Sequence, residues 1–137
     1  MFKIVALDMI TVPNYFKTLT SWDFIAGNTA RLWFELQIAD SLGERRYIPA
    51  AGSQVKIEFP RARTQSIQNT PPPSQQTITK IAAQDVSDKS FFYVDLLSTE
   101  TPIILGGTVK VYLTESGVTS TFVQNYFVNR KSCVSGN

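Results

Sequence analysis

The feature that most constrains this chain is a set of short runs in which apolar and polar residues take turns. Leu32, Phe34, Leu36 and Ile38 alternate with Arg31, Trp33, Glu35 and Gln37. Val55, Ile57 and Phe59 alternate with Lys56 and Glu58, and Val109, Val111 and Leu113 with Lys110, Tyr112 and Thr114. Successive side chains of a strand point to opposite faces, so each run is a ribbon with one greasy and one wettable side. Such ribbons are stable only when their greasy sides cover one another. The expected fold is therefore all-β: a single-domain antiparallel β-sandwich, Ig-like or jelly-roll-like, in preference to a closed barrel.

Breaker residues divide the chain into about seven to nine strands. Strands are expected over 2–10, 30–39, 54–59, 77–83, 91–97, 108–114 and 118–128, with shorter extended pieces over 16–22, 47–49 and 103–105. Turns fall at 27–29, 40–44, 85–89 and 115–117. Helical spacing of Ile78, Ile81 and Ala82 makes the region 77–85 the one place where a helix competes. The domain spans 1–129, and 130–137 reads as a polar tail.

Residues 61–76 differ in kind. They hold one large apolar side chain, Ile67, and the run Pro71-Pro72-Pro73. Three prolines favour polyproline II and cannot join a sheet interior. A loop this long inside a compact domain is uncommon. It is expected to project as an arm.

Composition excludes several classes. At 137 residues the chain buries enough surface to fold without a staple, and the lone Cys133 has no internal disulfide partner. Neither this cysteine usage nor the lack of an Asn-x-Ser/Thr acceptor suits a secreted eukaryotic domain. Asp8 interrupts the apolar run after Lys3, and no later stretch reaches membrane-spanning length, so no membrane insertion is expected. A net charge of +2, from 13 basic and 11 acidic residues, is far from a dedicated nucleic-acid binder. The charge is uneven, however. Arg45, Arg46, Lys56, Arg61 and Arg63 cluster in one region, and Asp85, Asp88, Asp95 and Glu100 in another. Such patches suit contacts between subunits.

Catalytic sets are hard to assemble from this sequence. There is no histidine, which removes the commonest general base and metal ligand. A zinc site would need one cysteine and scattered carboxylates. Gly106-Gly107 precedes a strand, unlike a phosphate-cradling loop before a helix. No cofactor is expected. Paired carboxylates for glycoside hydrolysis would have to come from Glu35, Glu58, Asp85, Asp88 and Asp95. Among the aromatics, Trp22, Trp33, Tyr93 and Tyr112 are candidates for sugar stacking, with Trp33 and Tyr112 on polar strand positions. Subunit contact is the commoner use of such side chains. Arg45, Arg46, Arg61 and Arg63 lack the interleaved aromatics of a single-strand nucleic-acid groove.

The stretch Ile25-Ala26-Gly27-Asn28-Thr29 followed by Ala30-Arg31-Leu32-Trp33-Phe34-Glu35-Leu36 resembles the N-terminal domain of bacteriophage baseplate upper proteins. The later Phe91-Phe92-Tyr93-Val94-Asp95-Leu96, Leu105-Gly106-Gly107 and the final hairpin are similar to that layout, over about residues 22–123. Asn28 stands where that family usually has an acid, and the long helical or fibrous extension common there does not follow. The resemblance implies a non-enzymatic virion component of tail, baseplate or fibre attachment, made in the bacterial host cytoplasm. Its partners would be copies of itself and other virion proteins. The contact residues expected are Arg45, Arg46, Arg61, Arg63, Ile67, Pro71, Pro72 and Pro73. A carbohydrate-binding module using Trp33 and Tyr112 on a host glycan is the alternative. A capsid decoration protein and a glycosidase built on Asp95 or Glu58 are further rivals.

Overall fold

A computed structural model describes residues 2–10, 15–60, 77–104 and 106–131. They form two packed β-sheets, the sandwich that the alternating runs demand. The strands in chain order are β1 (Phe2–Ile10), β2 (Tyr15–Leu19), β3 (Trp22–Ile25), β4 (Ala30–Asp40), β5 (Gly43–Arg46) and β6 (Gln54–Pro60). After them come β7 (Thr77–Ile81), β8 (Ala83–Gln84), β9 (Phe91–Leu96), β10 (Gly107–Glu115) and β11 (Val118–Lys131). The first sheet has the order β2-β1-β4-β9-β8, with β5 also paired to β4. The second is β3-β11-β10-β6-β7, antiparallel except where β3 runs parallel to β11.

Two chain segments switch sheets and fasten the sides. β2 belongs to the first sheet and β3 to the second, so the chain arches between them through residues 20–21. On the other side β7 leads into β8 at Ala82, whose N–H donates to the Val55 carbonyl at 2.8 Å. The competing helix over 77–85 is thus displaced by two strands. Ile78 packs on the core while Ile81 is exposed, and each segment gains backbone partners from a neighbouring strand.

Alternation places the core as expected. Leu32, Phe34 and Leu36 face Val55, Ile57, Phe59, Val109, Val111 and Leu113 between the sheets. Trp22 sits at the centre, with ring centroids 5.7 Å from Phe34, 6.0 Å from Phe59 and 4.9 Å from Phe127. Its indole N–H donates to the Trp33 carbonyl at 2.8 Å, joining β3 of one sheet to β4 of the other.

Two boundaries differ from expectation. The strand β5 begins at residue 43, inside the turn expected over 40–44, because the left-handed Gly43 (φ 103°) turns the chain back along β4. β11 continues through Lys131, where Asn129 to Lys131 pair with β3 instead of starting a tail.

The strand registers also fix the two ends of the sandwich. Residues 41–42, 47–53, 85–90 and 116–117 turn at one end. The other end holds the turn 26–29, the connection 97–106 and the strand ends Ile10, Tyr15, Pro60, Thr77 and Lys131. At that end Gly27, with φ 94°, donates its N–H to Thr101 Oγ1 at 2.9 Å, and the same hydroxyl donates to the Asn28 carbonyl. Thr101 is buried, so it ties the turn before β4 to the connection after β9.

Candidate functional site

With the greasy faces used up in the core, the outer faces of the two sheets are what the sandwich offers to a partner. On the first sheet, register pairs Trp33 of β4 with Tyr93 of β9, and their rings lie 4.9 Å apart. Arg31 stacks over Tyr93 at 4.0 Å and makes a two-pronged contact with Asp95, 2.7 and 3.0 Å long. The Asp95 hydrogen bond raises the Arg31 pKa further, so its charge is fixed. Bidentate pairing and stacking together hold this guanidinium in one orientation.

One strand pair further along lies a second cluster. β9 begins where Phe91 faces Glu35, and β5 ends where Arg46 faces Gln37. The two strands therefore meet end to end along the same edge of β4, over Glu35. Its carboxylate accepts from Arg46 Nε at 3.3 Å and Gln37 Nε2 at 3.2 Å. Arg46 also reaches Ser90 Oγ at 3.5 Å and lies 5.4 Å over the Phe91 ring. Glu35 is only 7% exposed, although alternation assigns it to a solvated face. The meeting of β5 and β9 above it is the reason.

The outer face of the second sheet is organised around Tyr112. Lys56 of β6 and Lys110 of β10 lie 4.9 and 5.9 Å from its ring, and its hydroxyl donates to the Glu58 carboxylate at 3.4 Å. Beside it is a shallow depression of about 180 Å³ walled by Glu58, Pro60, Thr77, Thr108, Lys110 and Val123. Pro60 and Thr77 are register partners, so this depression lies at the point where the segment 61–76 leaves and rejoins the sandwich.

The candidate aromatics do not form one groove. Trp22 is 1% exposed and belongs to the core. Trp33 and Tyr93 meet on the first sheet, whereas Tyr112 is on the opposite face of the molecule, on the second. The same division separates Asp95 from Glu58. Glu35 shares a face with Asp95, but four strand positions separate them, about 13 Å at the rise of a strand. Two-carboxylate glycoside hydrolysis needs roughly 5–9.5 Å.

The carboxylates with displaced titration all move down. Arg45, and then the Leu42 N–H, lower Asp40 to about 2. Ser90 lowers Asp88. Burial pushes Glu100 up, but the Leu97 N–H and Lys80 more than offset it. A general acid working near neutral pH needs the opposite displacement. No group of three or more potential metal ligands occurs among the described residues.

Of the expected contact residues, Arg45 and Arg46 stand side by side on β5, each matched by an acid: Asp40 at 2.7 Å and Glu35. Their side chains leave β5 on opposite faces of the strand, each beside its own acid. Arg61, Arg63, Ile67, Pro71, Pro72 and Pro73 lie outside the described residues, as does Cys133. Lys110 and Arg31 were not among the candidate residues, and Lys56 entered only as part of the basic cluster with Arg45 and Arg46. Their alternating positions place them outside, but only strand pairing shows which aromatic each one meets. Comparisons with protein-family models, curated proteins and solved structures found no match to this chain.

Proposed function

We propose that this chain is a non-enzymatic structural protein of a bacteriophage virion, a tail, baseplate or fibre-attachment component that holds copies of itself and other virion proteins. The observation that carries a binding role is the character of the two outer faces. The first presents Trp33 and Tyr93 beside the Arg31–Asp95 pair and the second presents Tyr112 beside Lys56 and Lys110, while Asp95 lies on the opposite face from Glu58 and about 13 Å along the strands from Glu35. Rings and ion pairs held in fixed orientations lose little freedom on docking, which favours adhesion by shape. The virion assignment is supported by the resemblance of residues 22–123, with the Gly27 turn and the alternating β4 at its heart. In this reading the protein acts in the particle after synthesis in the host cytoplasm, and the segment 61–76 reaches to neighbours.

Mass spectrometry of gradient-purified particles, with immunogold labelling, tests this role. The expected result is the chain at fixed stoichiometry and label at one structural site. Particles free of the chain, or turnover of bacterial polysaccharide by the pure protein, overturn it. The Trp33–Tyr93 pair favours a second reading, recognition of a host glycan. Glycan-array binding lost in Trp33→Ala but kept in Tyr112→Ala would select it.

A further inference from the structure

The side of the sandwich between β1 and β11 is only half closed. The β2–β3 arch covers β1 from Ala6 to Ile10 and β11 from Val128 to Lys131. Beyond the arch, among the described residues, no strand pairs on this side with residues 2–5 or 118–127. A cleft of about 440 Å³ lies there, with Thr18 and Thr20 above it and Lys3, Gln124 and Asn125 in its walls.

The β10–β11 hairpin dictates which backbone groups face outward. Glu115 lies opposite Val118 across the two-residue turn of Ser116 (φ 49°) and Gly117 (φ 81°). In such a hairpin the pair flanking the turn exchanges hydrogen bonds, and so does every second pair after it. Val118, Ser120, Phe122 and Gln124 therefore bond to β10. Thr119, Thr121 and Val123 turn their N–H and C=O groups away, along about 20 Å of strand edge over residues 119–125.

This edge differs from the other strand edges among the described residues. Folded proteins protect edge strands with charge, proline or shortness. β2 carries Lys17, β3 Asp23, β5 Glu44, Arg45 and Arg46, and β7 Lys80, while β8 has two residues. The uncovered part of β1 carries Lys3, and its Ile4 N–H already donates to the Gln124 side chain. From Val118 to Asn129, by contrast, β11 contains no charged residue and no proline. Val123 on that edge is 52% exposed.

We propose that residues 119–125 of β11 pair, antiparallel and about a twofold axis, with the same edge of a second copy, fusing two five-stranded sheets into one continuous sheet. Identical antiparallel edges are self-complementary, since each outward donor meets an acceptor of its counterpart. Charge compatibility selects a second copy here. Any register of 119–125 against itself sets only Thr, Ser, Phe, Val, Gln and Asn side by side, whereas self-pairing of β5 or β7 would bring charged side chains into the new pairing, with like charges opposed when Arg45 or Lys80 lies on the twofold axis. This deepens the self-assembly part of the virion reading by naming its surface, and rests on that reading only to that extent.

The test is light-scattering mass in solution, combined with hydrogen exchange at single amides. Wild type is expected to reach twice the chain mass, with the Thr119, Thr121 and Val123 amides exchanging at least roughly tenfold more slowly than in a monomeric variant. Thr121→Lys should halve the mass. Gln54→Lys, the same charge on the same outer face away from the edge, should not. Mixing Thr121→Lys with Thr121→Glu should restore the double mass, which a merely misfolded variant would not do. A wild type that stays monomeric at millimolar concentration, or a dimer whose three amides exchange freely, overturns the proposal. A monomer found in particles overturns only the edge pairing. A dimer absent from particles overturns only the virion role.

Discussion

The indole N–H of Trp22 donates to the backbone carbonyl of Trp33 at 2.8 Å, so the residue at the centre of the core also links one sheet to the other. Trp22 reaches this position because the chain arches from β2 in the first sheet to β3 in the second. Trp22→Ala removes a fully buried indole and should cost about 3–5 kcal/mol. Trp22→Phe keeps most of the packing and loses the donor, so about 1–3 kcal/mol is expected. Urea unfolding followed by circular dichroism measures both. Equal losses for the two variants would mean that the hydrogen bond, not the packing, dominates.

Glu35 and Arg46 form an asymmetric pair. The carboxylate side chain is 10% exposed and the guanidinium side chain 48%. Removing the cation leaves a nearly buried charge with Gln37 as its remaining side-chain donor, whereas Glu35→Gln keeps a neutral acceptor in place. Breaking a fully buried pair costs about 3–5 kcal/mol, and solvent at Arg46 reduces that here to about 1–2 kcal/mol for Arg46→Met. Glu35→Gln should cost less. A double-mutant cycle in urea would show the coupling, and a larger loss for Glu35→Gln would contradict this account.

Acid should weaken the fold over a defined window. Arg45 and the Leu42 N–H hold the Asp40 carboxyl near 2, below its ordinary 3.8, and Asp88 and Glu100 are also lowered. A folded-state pKa below the unfolded value contributes stability that is present above the unfolded pKa. That stability disappears as pH falls towards the folded one. The unfolding midpoint in urea is thus expected to be flat above about pH 5 and to drop between about pH 4 and pH 2. Lys80→Met should make the drop shallower by weakening the Lys80–Glu100 contact of 2.7 Å. A midpoint that rises on acidification would contradict the assigned directions.

The alternating runs made β4, β6 and β10 legible from sequence, because period-two burial is a local property of each strand. The all-β sandwich follows from those three ribbons. What alternation does not encode is which ribbon joins which sheet. Trp33 and Tyr112 both stand on polar positions, yet pairing with β9 and with β6 and β11 sends them to opposite faces. Alternation assigns Glu35 to solvent for the same reason: its cover comes from Arg46 on β5 and from the start of β9, and only strand pairing brings either over it. Helical spacing in 77–85 competed with two short strands because the switch at Ala82 breaks the alternation there. The bare edge of β11 was visible as twelve uncharged residues, but its exposure depends on how far β3 extends.

The segment 61–76 allows a clean separation of folding from attachment. Pro60 and Thr77 are register partners at the ends of β6 and β7, so their Cα atoms lie about 5 Å apart, and because Pro60 has no N–H the hydrogen-bonded pair that closes the hairpin is Phe59–Ile78, with Pro60-Asn-Gly-Thr77 as a four-residue loop between them. Replacing the intervening sixteen residues by Asn-Gly should therefore leave the sandwich intact. Shortening the loop between Phe59 and Ile78 from eighteen residues to four lowers its closure cost by about 1.3 kcal/mol, so urea stability should hold or rise by up to that amount. If this segment grips neighbouring virion proteins, the shortened chain should fold, keep its self-association through β11 and yet fail to enter particles. A shortened chain that enters particles at the wild-type ratio would remove Arg61, Arg63, Ile67 and the three prolines from any role in attachment. The outer faces around Trp33 and Tyr112 would then be left to carry it.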